Sequence, residues 1–333
     1  MSEGYDALRG GAAWLDLSAR GRITVRGRDR VRLLHNITSN EVKKMKPGDG
    51  CYAFLLNPQG RIQADLCLLS FADHFLIDTE PELREKVPNL IRRYIVADQV
   101  ELEDVTAQTA AIGVEGPLAE SLQLPDGCTK APFSVTGQPG YRIYCAAGEM
   151  TRIVGQLEAA GARPATPDDA RLVRIENGKP RYGEDIGETS LPQETQQMHG
   201  VSFTKGCYLG QEIVERIRVQ GHVNRKLVRL ELDGSEPIVP GAKLEVDGKE
   251  AQITSSVYSP HFGKVIALAY VRGAWGLPSL NFSSRSSGRC KFPAQPVPSC
   301  TSGLGVPWKS EPPVTIRPYR CASPRYSSVS SAP

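Results

Sequence analysis

Along the first half of the chain, apolar positions switch between the two-residue period of strands and the 3.6-residue period of helices. Residues 22–26 alternate as a short strand ending at Gly27. Asp29 stands where a helix cap belongs, ahead of Val31, Leu33 and Leu34. Pro47-Gly48-Asp49-Gly50 predicts a turn. Residues 51–57 and 61–71 predict a hairpin across Pro58-Gln59-Gly60, and residues 74–79 a third strand. Pro81 opens a predicted helix that runs to Tyr94 with Leu83, Val87, Leu90 and Ile91 on its apolar face. Val100, Leu102 and Val105 predict another strand.

The middle of the chain keeps this mixed character. Residues 110–114 and 141–145 read as strands, 117–122 as a short helix and 149–160 as a longer one. Thr166-Pro167-Asp168-Asp169 combines a capping threonine, proline at the first helical position and acids in the first turn. That helix should reach Glu176 and stop at Asn177-Gly178. From Arg225 the pattern changes. Val228, Leu230 and Leu232 alternate with polar residues, Pro240-Gly241 and Asp247-Gly248 signal turns, and residues 265–271 form a last apolar run. This predicts a small antiparallel barrel or sandwich. Beyond Arg272 no period survives, and ten of the 25 prolines lie there. Such a Ser/Pro-rich segment predicts disorder.

Charge sharpens that boundary. The tail holds seven basic residues and one acid, a surplus of six against a whole-chain charge of +3, so the first 272 residues carry −3. The abrupt loss of acids marks 273–333 as a candidate out-of-frame extension. A mildly acidic body gives no argument for nucleic acid as a partner. At 333 residues, 40% hydrophobic and 23% charged, the composition is that of an ordinary globular protein with room for two or three domains. No apolar run approaches the ~20 residues that cross a bilayer, and the polar start lacks a signal-peptide pattern, so no membrane partner and a cytoplasmic location are expected. Eight cysteines without a Cys-x-x-Cys pair or zinc-like spacing fit a reducing compartment and no metal site.

Candidate chemistry concentrates in few places. Lys205-Gly206-Cys207-Tyr208-Leu209-Gly210-Gln211-Glu212 sets one cysteine between glycines, ahead of a helix carrying Ile213, Val214 and Ile217. A helix N-terminus and a neighbouring lysine both favour thiolate over thiol, so Cys207 is a candidate reactive thiol. The competing reading is a small buried hydrophobe. Asp65 interrupts an apolar strand, where a half-buried carboxylate needs a partner, unless it lies on the solvent face. Glu176 ends its helix where the dipole disfavours its charge, which points to donors from elsewhere or to a surface pair with Arg174 or Lys179. Leu191-Pro192-Gln193-Glu194 reads as a turn. No Gly-x-Gly-x-x-Gly or phosphate loop occurs. None of the five histidines pairs with Cys207 at a recognisable spacing, so a Cys/His hydrolase gains little support.

These motifs carry a resemblance. The run from Lys205 to Glu212 resembles the signature of YgfZ-type folate-binding proteins, which assist iron–sulfur cluster assembly and repair and are related to the aminomethyltransferase, or T-protein, of the glycine cleavage system. Val25-x-Gly27-x-Asp29, residues 33–40, Pro47-Gly48, Leu56-Asn57, Gly60 to Leu66 and Arg174 to Asp185 follow in family order. The resemblance covers roughly residues 10–272. It implies an α+β, three-lobed T-protein-like fold around a folate channel. A folate-binding region of two interleaved lobes would span 1–224, with a small C-terminal antiparallel β-barrel over 225–272 that is incomplete if the tail is out of frame. It implies that Asp65 lies beside the reactive nitrogens of tetrahydrofolate or a derivative and that Glu176 holds the pterin. Cys207 has no counterpart in the transferases and would act as nucleophile, redox group or transient ligand. One cysteine cannot hold a cluster, so a transient iron–sulfur cluster would be shared with a client or assembly protein. The expected function is a tetrahydrofolate-binding factor supporting iron–sulfur clusters through Cys207. The alternatives are an aminomethyltransferase of the glycine cleavage system and a non-catalytic folate-binding scaffold.

Overall fold

A computed structural model describes residues 1–273 apart from Asp247. The expected disorder of the tail therefore lies outside the described residues, except for Gly273.

Three sheets organise the chain. In the first, the strands Gly50–Leu56, Ile62–Ser70, Phe75–Thr79, Gly21–Arg26 and Glu101–Asp104 lie side by side in that order, all antiparallel. The hairpin forms across Pro58-Gln59-Gly60 as its turn chemistry predicts, and Gly60 takes φ +70. The second sheet orders Arg163–Pro164, Ala13–Asp16, Thr109–Glu115, Gly140–Ala146 and Thr129–Ala131, with one parallel pair at its edge. The third orders Arg225–Leu232, Lys264–Arg272, Lys249–Ser259 and Lys243–Val246, all antiparallel. Strand Lys264–Arg272 is buried without interruption from Val265 to Val271, because it is central and covered on both faces.

Each sheet has its own core. Ile23, Phe54, Leu66 and Ile77 of the first pack with Leu34, Val87 and Ile91 from the helices Arg30–Ile37 and Lys86–Arg92. Ile112, Val114 and Ile143 of the second pack with Ile153 and Leu157 from helix Met150–Ala159. A smaller cluster, including Cys67, Leu69, Ala111, Phe133 and Tyr144, joins these two sheets to each other. The helix Pro167–Glu176 bridges the parts. Its Val173 packs on Tyr5 and Leu8 of the N-terminal helix Glu3–Gly10, and its Ile175 packs on Val257 and Ile266 of the third sheet.

Several expectations change in detail. Asp29 does precede a helix, but its side chain makes no cap bond and instead accepts from the Gln99 backbone N–H at 2.9 Å. The helix expected from Pro81 to Tyr94 is split into a 3-10 turn at Pro81–Leu83 and the helix Lys86–Arg92. Pro88 explains the break: its missing N–H is tolerated only in a first turn, so the helix restarts just before it. Residues 117–122 shrink to the 3-10 turn Ala119–Ser121. The helix at Pro167–Glu176 keeps its full capping box, Thr166 with Asp169. The C-terminal unit is a half-barrel sheet of four strands among the described residues. The turn expected at Asp247-Gly248 falls partly on Asp247, outside the described residues.

Candidate functional site

Strand Ile62–Ser70 alternates faces. Ala64, Leu66 and Leu68 point into the first core, while Asp65 and Cys67 point toward the second sheet. Past the edge of that inter-sheet cluster the space opens into a cavity of about 1260 Å³. Its walls include Tyr52 and Asp65 from the first sheet, Arg142 from the second, Phe133 just after the edge strand Thr129–Ala131, and Arg174 and His199 from the stretch between the second and third sheets.

Asp65 is half-buried on this wall and accepts a hydrogen bond from the Tyr52 hydroxyl at 2.9 Å. Burial pushes its carboxyl up to about 6, the nearby Glu80 charge adds to that, and the Tyr52 bond opposes it. A second carboxylate beneath the cavity behaves oppositely. Burial works against the charge of Asp78, yet Arg142 at 2.8 Å, Arg20 at 2.6 Å and the Tyr144 hydroxyl at 2.8 Å hold it below the usual carboxylate range. Arg20 also reaches Glu80, which Arg181 contacts at 3.0 Å. The arginines thus hold Asp78 and Glu80 ionised, and Asp65 is the wall carboxyl that can take or give a proton near neutral pH.

Tyr52 also stacks on His199, with ring centroids 5.1 Å apart and planes at 25°. The loop carrying His199 is held on the Tyr52 side by Asn40, whose amide donates to the carbonyls of Tyr52 at 2.8 Å and His199 at 2.9 Å. Gly200 permits the approach: a Cβ there would lie 2.9 Å from the Tyr52 and Phe54 rings.

The Lys205–Glu212 segment departs from expectation. The helix begins at Gln211, with Gly210 in the left-handed region at φ +81, so Cys207 is a loop residue and not at a helix N-terminus. The cause is local. Tyr208 turns into the first core, which a helix starting earlier would prevent. A Cβ at Gly210 would meet the Asn57 carbonyl at 2.6 Å, so only glycine lets the loop lie against the hairpin turn. Lys205 does not serve the thiol either. Its buried ammonium donates to the carbonyls of His35, of Thr38 at 2.7 Å and of Asn40 at 2.9 Å. Gln211 accepts from the Tyr208 N–H at 3.2 Å, and Glu212 pairs with Arg216 at 2.8 Å on the surface. Gly206 lies beside His35. Cys207 is exposed and lines a separate groove of about 630 Å³ with Arg32, Asn36, Pro58, Tyr94 and Asp98.

Glu176 is not among the residues that line the Asp65 cavity. It is buried where the N-terminal helix meets the third sheet, and its Oε1 accepts from Tyr5 at 2.7 Å and from Ser259. Its nearest cation is Arg9, 3.7 Å from Oε2, and not Arg174 or Lys179. Arg174 instead contacts Glu184 and Asp185, each at 2.6 Å. The structure therefore brings Asp65 to a cavity, sets Cys207 in another groove and buries Glu176 between the N-terminal helix and the third sheet. Tyr52, His199, Asn40 and Arg142 are site residues that sequence reasoning passed over.

Among the described residues no cluster of three or more His, Cys, Asp or Glu side chains could hold a metal ion, and no helix is long and apolar enough to cross a membrane.

Comparison with known proteins places this architecture. Residues 1–125 match the GCVT N-terminal domain, and residues 225–301 match the glycine cleavage T-protein C-terminal barrel domain, a match that continues past the described residues. An aminomethyltransferase of Rubrobacter xylanophilus is 29% identical over 294 residues, covering 80% of this chain and 78% of that one. An aminomethyltransferase of Geobacillus kaustophilus is 28% identical over 301 residues, 82% of each chain. The crystal structure of the glycine cleavage system aminomethyltransferase T from Bartonella henselae superposes with a TM-score of 0.71 over 81% of each chain at 21% identity, which is a likeness of fold. The chain thus has the T-protein-like fold of the aminomethyltransferase-like superfamily, with a GCVT N-terminal domain followed by the T-protein C-terminal barrel domain.

Proposed function

We propose that the chain binds a tetrahydrofolate in the Asp65 cavity and handles the one-carbon unit that such a ligand carries. The observation that carries this reading is Asp65 itself, a wall carboxyl whose acidity is shifted to about 6, beside the stacked rings of Tyr52 and His199. The cavity volume of about 1260 Å³ is ample for a ligand of that size. When bound, tetrahydrofolate supplies nitrogens that accept and release a one-carbon group. The chain's own residues do the rest. Tyr52 orients the Asp65 carboxyl, which stabilises positive charge at a nitrogen or takes its proton. Arg142 and Phe133 close the opposite wall. Glu176 stays a proposed pterin contact: its Oε1 is taken by Tyr5 and Ser259, and its buried Oε2 has no hydrogen-bond partner.

Two finer readings share this site. The relatives named as aminomethyltransferases support aminomethyl transfer in glycine cleavage. The Lys205–Glu212 segment, with an exposed Cys207 in a groove of its own, supports a folate-dependent factor for assembly or repair of iron–sulfur clusters in client proteins. One pair of assays separates them. Aminomethyl transfer requires ammonia release from an aminomethyl-lipoyl carrier protein that is lost in Asp65→Asn and kept in Cys207→Ser. The iron–sulfur reading requires that the wild-type gene rescue a strain lacking its cluster-assembly factor and that Cys207→Ser fail to. A chain that does neither while still binding folate would be a scaffold.

A further inference from the structure

Sequence spacing makes Lys179 a candidate partner for Glu176, but the nearest cation to Glu176 is Arg9. Lys179 follows the helix stop Asn177-Gly178, where Gly178 takes φ +71. Its N–H donates to the Arg174 carbonyl at 2.9 Å, and its own carbonyl accepts from the Arg174 guanidinium at 2.7 Å. Its stem lies along the loop at Gly137, where an added Cβ would stand 3.5 Å from Lys179 Cβ and 3.6 Å from its Cδ. That loop is held by the buried Glu115 carboxylate, which accepts from the Val135 N–H at 2.6 Å, the Thr136 N–H at 2.9 Å and the Ser134 hydroxyl at 2.6 Å. The base of the side chain is therefore fixed before any ligand arrives.

Lys179 is half-buried in the wall of the Asp65 cavity. Of the six lysines and arginines in that wall, five are tied to carboxylates: Arg20 and Arg142 to Asp78, Arg171 and Arg174 to Glu184, and Arg181 to Glu80. Among the described residues the Lys179 ammonium has neither a hydrogen bond nor an ion pair, and unlike the unpartnered polar atoms sealed in the interior it keeps accessible surface. A lysine drawn this far into a fold is seldom left unpaired. Its charge reaches His199, another wall residue, whose imidazole is pulled down to about 4 by burial with the Lys179 ammonium adding to it. The other wall charges without an ion pair are all carboxylates: Asp65 and the exposed Asp16 and Asp168. An anionic end of a ligand thus meets one free counter-charge in this wall and is repelled elsewhere.

We infer that Lys179 receives the anionic end of the bound molecule, a glutamyl carboxylate of the folate, and so sets which way the ligand lies in the cavity. This role rests on the folate reading and deepens it by naming the ligand class, a folate with an ionised glutamyl end. The ring end of such a molecule is uncharged and its glutamyl end is a dianion. Attraction at Lys179 and repulsion at Asp65 therefore act together: they draw the glutamyl end to the lysine and leave the ring end to the carboxyl that handles the proton. An ammonium on a flexible stem suits this task, because it follows a carboxylate without demanding one fixed geometry.

The test is a calorimetric titration of the full chain at pH 7 with two probes: 5-formyltetrahydrofolate, and its glutamyl dimethyl ester, the same molecule without the two negative charges. Wild type should bind the acid about 10-fold more tightly than the ester, the range that one charge-assisted hydrogen bond commands. Lys179→Met keeps an apolar stem and removes the ammonium. It should bind the acid about 10-fold more weakly than wild type does and the ester within about twofold, while Lys179→Arg should recover the acid to within about threefold. Equal weakening of acid and ester in Lys179→Met assigns the side chain to packing and overturns the inference, as does equal affinity of wild type for the two probes. Wild-type affinity for the acid in Lys179→Met, with Asp65→Asn still weakened, overturns the role of Lys179 and leaves the folate reading standing. No binding of either probe by wild type overturns both.

Discussion

At the scale of single residues, Asp65 and His199, both in contact with Tyr52, titrate in opposite senses. The Asp65 carboxyl is raised to about 6 in the folded chain from an ordinary value near 3.9, so the native state holds the extra proton between those limits. Its effect is to lower stability as pH rises from about 4 to 6. His199 is lowered to about 4 from about 6.5, so the unfolded state holds the extra proton and stability rises over nearly the same window. The two slopes offset. Asp65→Asn leaves the histidine slope alone. The variant should match wild type near pH 4 and exceed it by about 2 kcal/mol at pH 7, measured by urea unfolding at both values. A variant no more stable than wild type at pH 7 contradicts a charged, partly buried Asp65. Asp65 was visible in the sequence as a carboxylate in an apolar strand, but its partner was not. A bulge between Leu55 and Leu56 shifts the hairpin register by one, setting Phe54 opposite Asp65 and Tyr52 opposite Cys67. A regular ladder counted from the turn would put Ala53 opposite Asp65 and send Tyr52 to the other face.

At the scale of elements, periodicity and turn chemistry were enough for most strands and for the capped helix Pro167–Glu176. They failed where one residue overrides a pattern, as Pro88 does in the split helix, or where an element is short, as with the N-terminal helix Glu3–Gly10 that the polar start of the chain concealed. The Lys205–Glu212 segment shows the same limit. Its spacing marked it as special, but only the fold shows Lys205 as an anchor for three carbonyls that are remote in sequence. Lys205→Met should therefore act on structure. It leaves the carbonyls of His35, Thr38 and Asn40 without their donor and should cost about 3 kcal/mol in chemical unfolding. Because Asn40 also holds the Tyr52 and His199 backbones, folate affinity should fall with it. A Lys205→Met protein as stable as wild type would show that the ammonium anchors nothing.

At the scale of the whole molecule, the three sheets are bolted together by buried polar groups between their cores. Asp185 is the clearest case. Its Oδ1 accepts from Thr254 at 2.6 Å and Ser255 at 2.7 Å in the third sheet, and its Oδ2 accepts from Arg174 at 2.6 Å. Asp185→Ala leaves the Arg174 guanidinium to Glu184 and the Lys179 carbonyl, removes the acceptor of Thr254 and Ser255, and unties the half-barrel. It should lose about 2–3 kcal/mol and split a single calorimetric transition into two, the third sheet melting first. One unchanged transition would contradict that linkage. The proposed folate site also belongs to the whole molecule, since the cavity forms where the first two sheets and the segments that follow them meet. Calorimetric titration of the full chain with 5-formyltetrahydrofolate, beside Asp65→Asn, tests it most directly. The account predicts saturable one-to-one binding by wild type that weakens at least about tenfold in the variant. No binding heat, or equal affinity in the two proteins, would contradict it.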